Sequence, residues 1–300
     1  MPDNQLILEL NKVIAEELGI SRIVWTVSNK IYSLIEKSFR ENYPTQKEEK
    51  SDGVWMIRND FEYYFPNVEK EITIRYEIVN FKNAQHMDLY AASCDIRNDG
   101  YSMAQFFKNI DKRKKGVLGF GTIAVYGVAI SGTIQKNALM DTIQHEVEHL
   151  YQQIMMGKEF GDEGIGVITN SLSSKNKFVK TVALFLYMSL KSEQEGFANG
   201  LYAYCHENFT AFPEKYKESP AYEMLQNLDK GLELFKENIG SKGLKDALNE
   251  FWQFNLTAKN IIPFCEKVMR QCIRRFGRVY ALLNREASER IKDFKPKKLS

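Results

Sequence analysis

The chain has 300 residues, enough to bury a large core in one large domain or two subdomains. It is 44% hydrophobic and 27% charged, and 41 basic against 39 acidic residues leave a net charge of +2. That balance excludes global electrostatic steering toward nucleic acid or an acidic membrane surface. Cys94, Cys205, Cys265 and Cys272 are scattered, with no Cys-x-x-Cys pair, so neither a structural zinc cluster nor a redox motif is indicated. A reduced, cytoplasmic setting is the simpler expectation. The N-terminus lacks the basic region and apolar run of a signal peptide. The most apolar window, Val182 to Leu190, is too short to span a bilayer.

Leu6, Leu8, Leu10, Val13, Ile14, Leu18 and Ile20 predict a first helix ending near Gly19. A second runs from Ser21 to about Tyr43, with Ile23, Val24, Val27, Ile31, Leu34, Ile35 and Phe39 inward. Pro44 to Gly53 is polar and reads as an exposed loop. The period then changes to two. Val54–Ile57, Glu71–Val79 and Asp88–Ile96 are predicted strands, and in the second of them Ile72, Ile74, Tyr76 and Ile78 share one face. Turns are expected at Asn80 to Gln85 and at Asp99-Gly100. Gly119 to Gly132 is β-branched and punctuated by glycine, a strand leading into the next helix. It reads either as an edge strand, open to an extended peptide, or as a plain buried strand with bulges.

Thr133–Asn137 to Met156-Gly157 brackets a helix with an apolar stripe of Leu139, Ile143, Val147, Leu150 and Ile154. Lys158 to Lys177 is rich in Gly and Ser and reads as a loop. Helical spacing then recurs over Phe178–Leu190, Ser192–His206, Pro220–Asn238, Leu244–Phe254 and Ile261–Asp293. Ser192, Pro213, Ser219-Pro220, Gly240 and Pro263 act as the turn signals between them.

The bracketed helix carries His145-Glu146-Val147-Glu148-His149. The chain has only 4 His, and two of them fall in this window. Residues four apart share a helix face, so both imidazoles can reach one metal ion. Glu146 lies about 100° round the helix from His145, close enough to take a proton from a water on that ion and pass it to a leaving amine. Zinc suits such a site, because it lowers the pKa of a bound water to about 7. A catalytic zinc site needs a third protein ligand. Gln152 and Met155 stand where a third-histidine version of the motif would need Gly and His. His86 reads as a surface histidine, and Glu148 as a surface or supporting acid.

The better source is the Ser192–His206 helix. Glu195, Asn199, Tyr202 and His206 form a polar stripe on it, and Gly196, Ala198, Gly200 and Ala203 allow close packing. Ser192 and Glu195 also fit a capping box, and Glu193 is a second acid within reach. Tyr202 and His206 suit either stabilisation of an oxyanion or a satisfied place on the helix surface.

His145-Glu146-x-x-His149 resembles the signature of the zincin metallopeptidases. Glu195-x-x-Ala198-Asn199-x-Leu201-x-Ala203 is similar to the third-ligand helix of their glutamate-liganded members, with some similarity to ImmA/IrrE-type peptidases. The stretch between the two motifs is longer here than in that group. The resemblance implies Zn2+ held by His145, His149 and Glu195, with Asn199 supporting a ligand.

The expectation is an α+β, zincin-like chain. Residues 1–132 would form N-terminal helices, a twisted and mostly antiparallel sheet and an edge strand. Residues 133–300 would form the active-site helix, the third-ligand helix and a helical C-terminal subdomain. The expected function is zinc-dependent hydrolysis of a peptide or protein substrate with Glu146 as general base and acid. No nucleic acid or membrane partner is expected. The alternatives are a non-catalytic zincin-like scaffold or interaction protein, including a DNA-associated or phage-related regulator.

Overall fold

The computed structural model of the chain describes residues 22–43, 48–51, 54–65, 70–87, 103–108, 119–156, 163–206 and 212–293. The helix expected over Leu6–Gly19, the strand over Asp88–Ile96 and the turn at Asp99-Gly100 lie outside them. The chain is mixed α+β and divides into two compact units, Met1–Met155 and Met156–Ser300. The His-Glu-x-x-His helix is therefore grouped with the sheet. No helix among the described residues is long and apolar enough to cross a membrane.

The first described element of the first unit is α1 (Arg22–Asn42), which packs on β2 and β3. Val24, Val27, Ile31, Ile35 and Phe39 are buried, as their spacing predicts. Burying each such side chain stabilises the fold by about 1.5–3 kcal/mol. A polar contact sits within this packing: Ser38 Oγ lies 2.9 Å from the Tyr76 hydroxyl, and Asn59 Nδ2 donates to Ser38 Oγ at 3.1 Å.

Among the described residues six strands follow: β1 (Glu48–Ser51), β2 (Val54–Phe65), β3 (Lys70–Phe81), β4 (Met103–Lys108), β5 (Gly119–Ile130) and β6 (Thr133–Ile134). They form one sheet in the order β1-β2-β3-β5-β4, with β6 also paired to β5. All pairings are antiparallel except β3 with β5. On β3, Ile72, Ile74, Tyr76 and Ile78 are fully buried, and the alternate positions face outward. There Arg75 pairs with Asp60 at 2.8 Å and Arg58 with Glu77 at 3.0 Å across β2 and β3. Exposed pairs of this kind contribute roughly 0–1 kcal/mol each, so the buried face sets the register.

Two expectations are corrected here. Part of the polar stretch Pro44–Gly53 is strand β1, a short, charged sheet edge, and such edges resist further pairing. β5 is no edge strand: β3 lies on one side of it, and β4 and β6 on the other. Addition of an extended peptide to β5 is thereby removed. The alternative reading, a buried strand, is the observed one. Its Gly127 leaves room for side chains, since a Cβ there would come within 2.8 Å of both Ile78 Cδ1 and Leu139 Cδ1.

The link from β5 to the motif helix is tight. Ser131 (φ 51°) and Gly132 (φ 78°) form a two-residue hairpin turn between Ile130 and Thr133. Positive φ at both positions gives the twist that strand pairs favour, and glycine takes it without strain. The turn is held to the end of β3. The fully buried Asn80 accepts from the Gly132 N–H at 2.7 Å, and the Phe81 carbonyl accepts from the Ser131 N–H at 2.8 Å. Asn80→Ala would remove the acceptor of that part-buried N–H and should cost about 0.5–1.5 kcal/mol. Urea unfolding would show it as a lowered midpoint with an unchanged slope.

The second unit is helical among its described residues: α3 (Glu163–Ser171), α4 (Lys177–Ser189), α5 (Lys191–Cys205), α6 (Phe212–Glu218), α7 (Pro220–Glu237), α8 (Lys242–Glu250) and α9 (Ile261–Asp293). Asn176, Ser219 and Ser241 cap α4, α7 and α8 through their side-chain oxygens. The stretch read as a loop over Lys158–Lys177 contains α3. Pro213 and Pro263 lie in the first turns of α6 and α9, where a missing N–H costs nothing, so neither ends a helix. The helix expected over Leu244–Phe254 stops at Glu250 and gives way to a 3₁₀ turn over Trp252–Phe254.

α5 packs against α4, α6, α7 and α9. Gly196, Ala198, Gly200 and Ala203 are all buried on it. Phe197 meets Phe276 of α9 with ring centroids 6.4 Å apart.

Candidate metal centre

The motif helix, α2 (Lys136–Met156), buries Leu139, Ile143, Val147 and Leu150. The side chain of Ile154, the last member of that stripe, lies outside the described residues. This packing fixes the rotation of the helix and leaves His145, Glu146 and His149 half-buried on another face. The two imidazoles lie edge to face, with centroids 4.7 Å apart and planes at 78°. Their four-residue separation therefore brings them together as the sequence predicts.

Two further acids support this helix. Glu148 is buried rather than on the surface, and it accepts a 2.8 Å hydrogen bond from Gln152 one turn on. Asp141, one turn before His145, is also buried. Burial pushes its carboxyl up to about 7, and the positive charge of His145 pulls it partly back. The folded form thus holds the proton more tightly than the unfolded chain does. In chelator-treated protein, Asp141 contributes stability that is complete below pH 4 and is lost as pH rises toward 7. Asp141→Asn should remove that part of the slope, measurable by urea unfolding across the range.

α5 carries the acids expected to supply a third ligand. Its N-cap is Leu190, with no side-chain cap bond, so Ser192 and Glu195 form no capping box. Glu195 is part-exposed, and its carboxylate pairs with Arg275 at 3.0 Å and with Lys191 at 3.5 Å. Glu193 is only 8% exposed. The two acids are about 200° apart round the helix, so they cannot serve the same face. Among the described residues, one group of three His, Cys, Asp or Glu side chains could hold a metal ion. It is His145, His149 and Glu193, whose donor atoms lie within 4.8 Å of one another. No protein-family model, curated protein or solved structure matches this chain. The reading of the site rests on its own chemistry.

That chemistry suits a divalent ion. Two imidazoles and a carboxylate are a recurrent catalytic zinc set that leaves a coordination position open. Oxygen-only cages of the calcium kind do not contain imidazole.

The other sequence candidates fall elsewhere on α5. Asn199, Tyr202 and His206 are buried, at 6%, 3% and 7% exposure, so the helix-surface role does not apply to Tyr202 or His206. Tyr202 and His206 stack on each other, with centroids 4.8 Å apart. His86 bonds Asn83 in the helical turn after β3 and is not part of the metal-binding group. Asp141 was missed by sequence reasoning. Its one signal is an acid four residues before the first motif histidine.

Proposed function

We propose that the chain is a metal-dependent peptidase in which His145, His149 and Glu193 hold one divalent ion, zinc by preference. One observation carries the reading: a His-Glu-x-x-His helix and a buried glutamate offer three donors within 4.8 Å. Bound there, the ion would act as a Lewis acid on a carbonyl and make water a competent nucleophile near neutral pH. Glu146 follows His145 directly on α2, and its carboxylate takes the proton from the attacking water. It then delivers that proton to the departing amine nitrogen. Burial of Glu193 keeps its carboxylate away from competing water. The donor set resembles that of the glutamate-liganded zincins, with Glu193 rather than the motif-matched Glu195 as the acid.

Elemental analysis of the purified chain tests the metal. About one zinc per chain is expected, falling to background in His149→Ala. Chelation should abolish cleavage of a casein or peptide-library substrate, and added zinc should restore it. Protein without zinc, and with no change in content in His149→Ala, would favour the non-catalytic scaffold. One zinc per chain without cleavage of any library peptide would retain the site and reject the peptidase.

A further inference from the structure

The second unit holds a separate feature. A cavity of about 320 Å³ is lined by Lys191, Arg274, Arg275 and Arg278, together with the uncharged Ser189, Gln194 and Gln271. Four of its seven lining residues are cations and none is an acid. The only carboxylate paired with these cations among the described residues is that of Glu195, 3.0 Å from Arg275 and 3.5 Å from Lys191. Arg274 and Arg278 have no ion-pair partner there.

The sequence makes this concentration deliberate. From Lys267 to Arg285, α9 carries Lys267, Arg270, Arg274, Arg275, Arg278 and Arg285 and no acidic residue. Arg270, Arg274 and Arg278 recur every four positions on one face, a like-charge spacing that destabilises a helix in isolation. A bound anion reverses the sign of that cost. The N-terminus of α5 adds to the same pole. Its Leu190 cap offers no side-chain acceptor to the first-turn N–H groups. The positive end of the helix dipole therefore stands beside the Lys191 that lines the cavity.

We propose that this cavity binds a phosphate-bearing small molecule. Arg274 and Arg278 grip the phosphate oxygens through their planar forks, and Lys191 adds charge at the head of α5. Phosphate suits the set better than a single carboxylate. Four cations against one Glu195 leave a surplus that a multiply charged anion neutralises. The volume lies at the low end of small-ligand pockets, which fits a compact sugar phosphate rather than a wrapped polynucleotide. Glu195 is a built-in competitor, since it occupies Arg275 and Lys191 when no anion does.

The test is calorimetric titration of the full chain at low ionic strength with sodium phosphate, ribose 5-phosphate and a single-stranded oligodeoxynucleotide. Saturable one-to-one binding of ribose 5-phosphate is expected. It should weaken at least about tenfold in the Arg274→Ala/Arg278→Ala double variant, which removes both charge-assisted contacts. Both arginines are exposed, so that variant should keep the wild-type thermal midpoint. Glu195→Gln should tighten binding by freeing Arg275 and Lys191. Three results would overturn the proposal: no saturable binding, equal binding in the double variant, or weaker binding in Glu195→Gln. Oligonucleotide binding tighter than that of either phosphate, with a steep loss as salt rises, would also overturn it in favour of a polynucleotide surface.

Discussion

Glu193→Gln should empty the metal site, and Glu195→Gln should leave it filled. A glutamine keeps the length and shape of the side chain but loses the negative charge that an ion exchanges for its hydration. Removing one of three protein ligands should weaken zinc binding by more than the 10–100-fold typical of changes around the ligands. Glu195 faces Arg275 and Lys191, so its charge is spent on an ion pair within the second unit. Competition with a chromophoric chelator gives the two affinities directly, and circular dichroism checks the fold. Zinc retained in Glu193→Gln and lost in Glu195→Gln would reverse the assignment and restore the ligand expected from the sequence.

Glu146→Gln has a different signature, namely full metal content with almost no turnover. Glu146 is half-buried beside the first histidine and outside the donor group. Its replacement should therefore spare the ion. Losing a positioned base costs roughly 10²–10⁴ in rate, or about 3–5 kcal/mol of barrier. The loss should fall on kcat, with KM little changed, because the carboxylate acts on the proton in flight rather than on the bound peptide. Cleavage at the wild-type rate, or stoichiometric loss of zinc, would remove Glu146 from the chemistry.

The first unit was legible where one face is wet and the other dry. Ile72, Ile74, Tyr76 and Ile78 alternate with Thr73, Arg75 and Glu77, so β3 declared both its period and its buried face. α1 did the same through Val24, Ile31, Ile35 and Phe39. The histidine pair was equally readable, because it depends only on local helix geometry. β1 was missed because Glu48-Glu49-Lys50-Ser51 has the composition of a loop, and its pairing with β2 is a non-local fact.

The acid that stands nearest the histidine pair was the hard case. α5 is buried almost all round, with Glu193, Gln194, Gly196, Ala198 and Asn199 all inside. A helix without a wet side has no amphipathic signal to say which acid faces where. Ser192 also looked like a cap, which displaced the apparent start of the helix. The real start follows Leu190, a residue whose side chain offers no capping oxygen.

That residue has a mechanical consequence. Leu190 is at once the C-cap of α4 and the N-cap of α5, so one residue joins two helices. The joint has no slack, and the angular phase of α5 is tied to the end of α4. Glu193 lies three positions beyond it. Adding one residue at the joint would turn every later side chain by about 100° relative to α4. The bearing of the buried carboxylate is thus set by the length of a junction as much as by the identity of the acid.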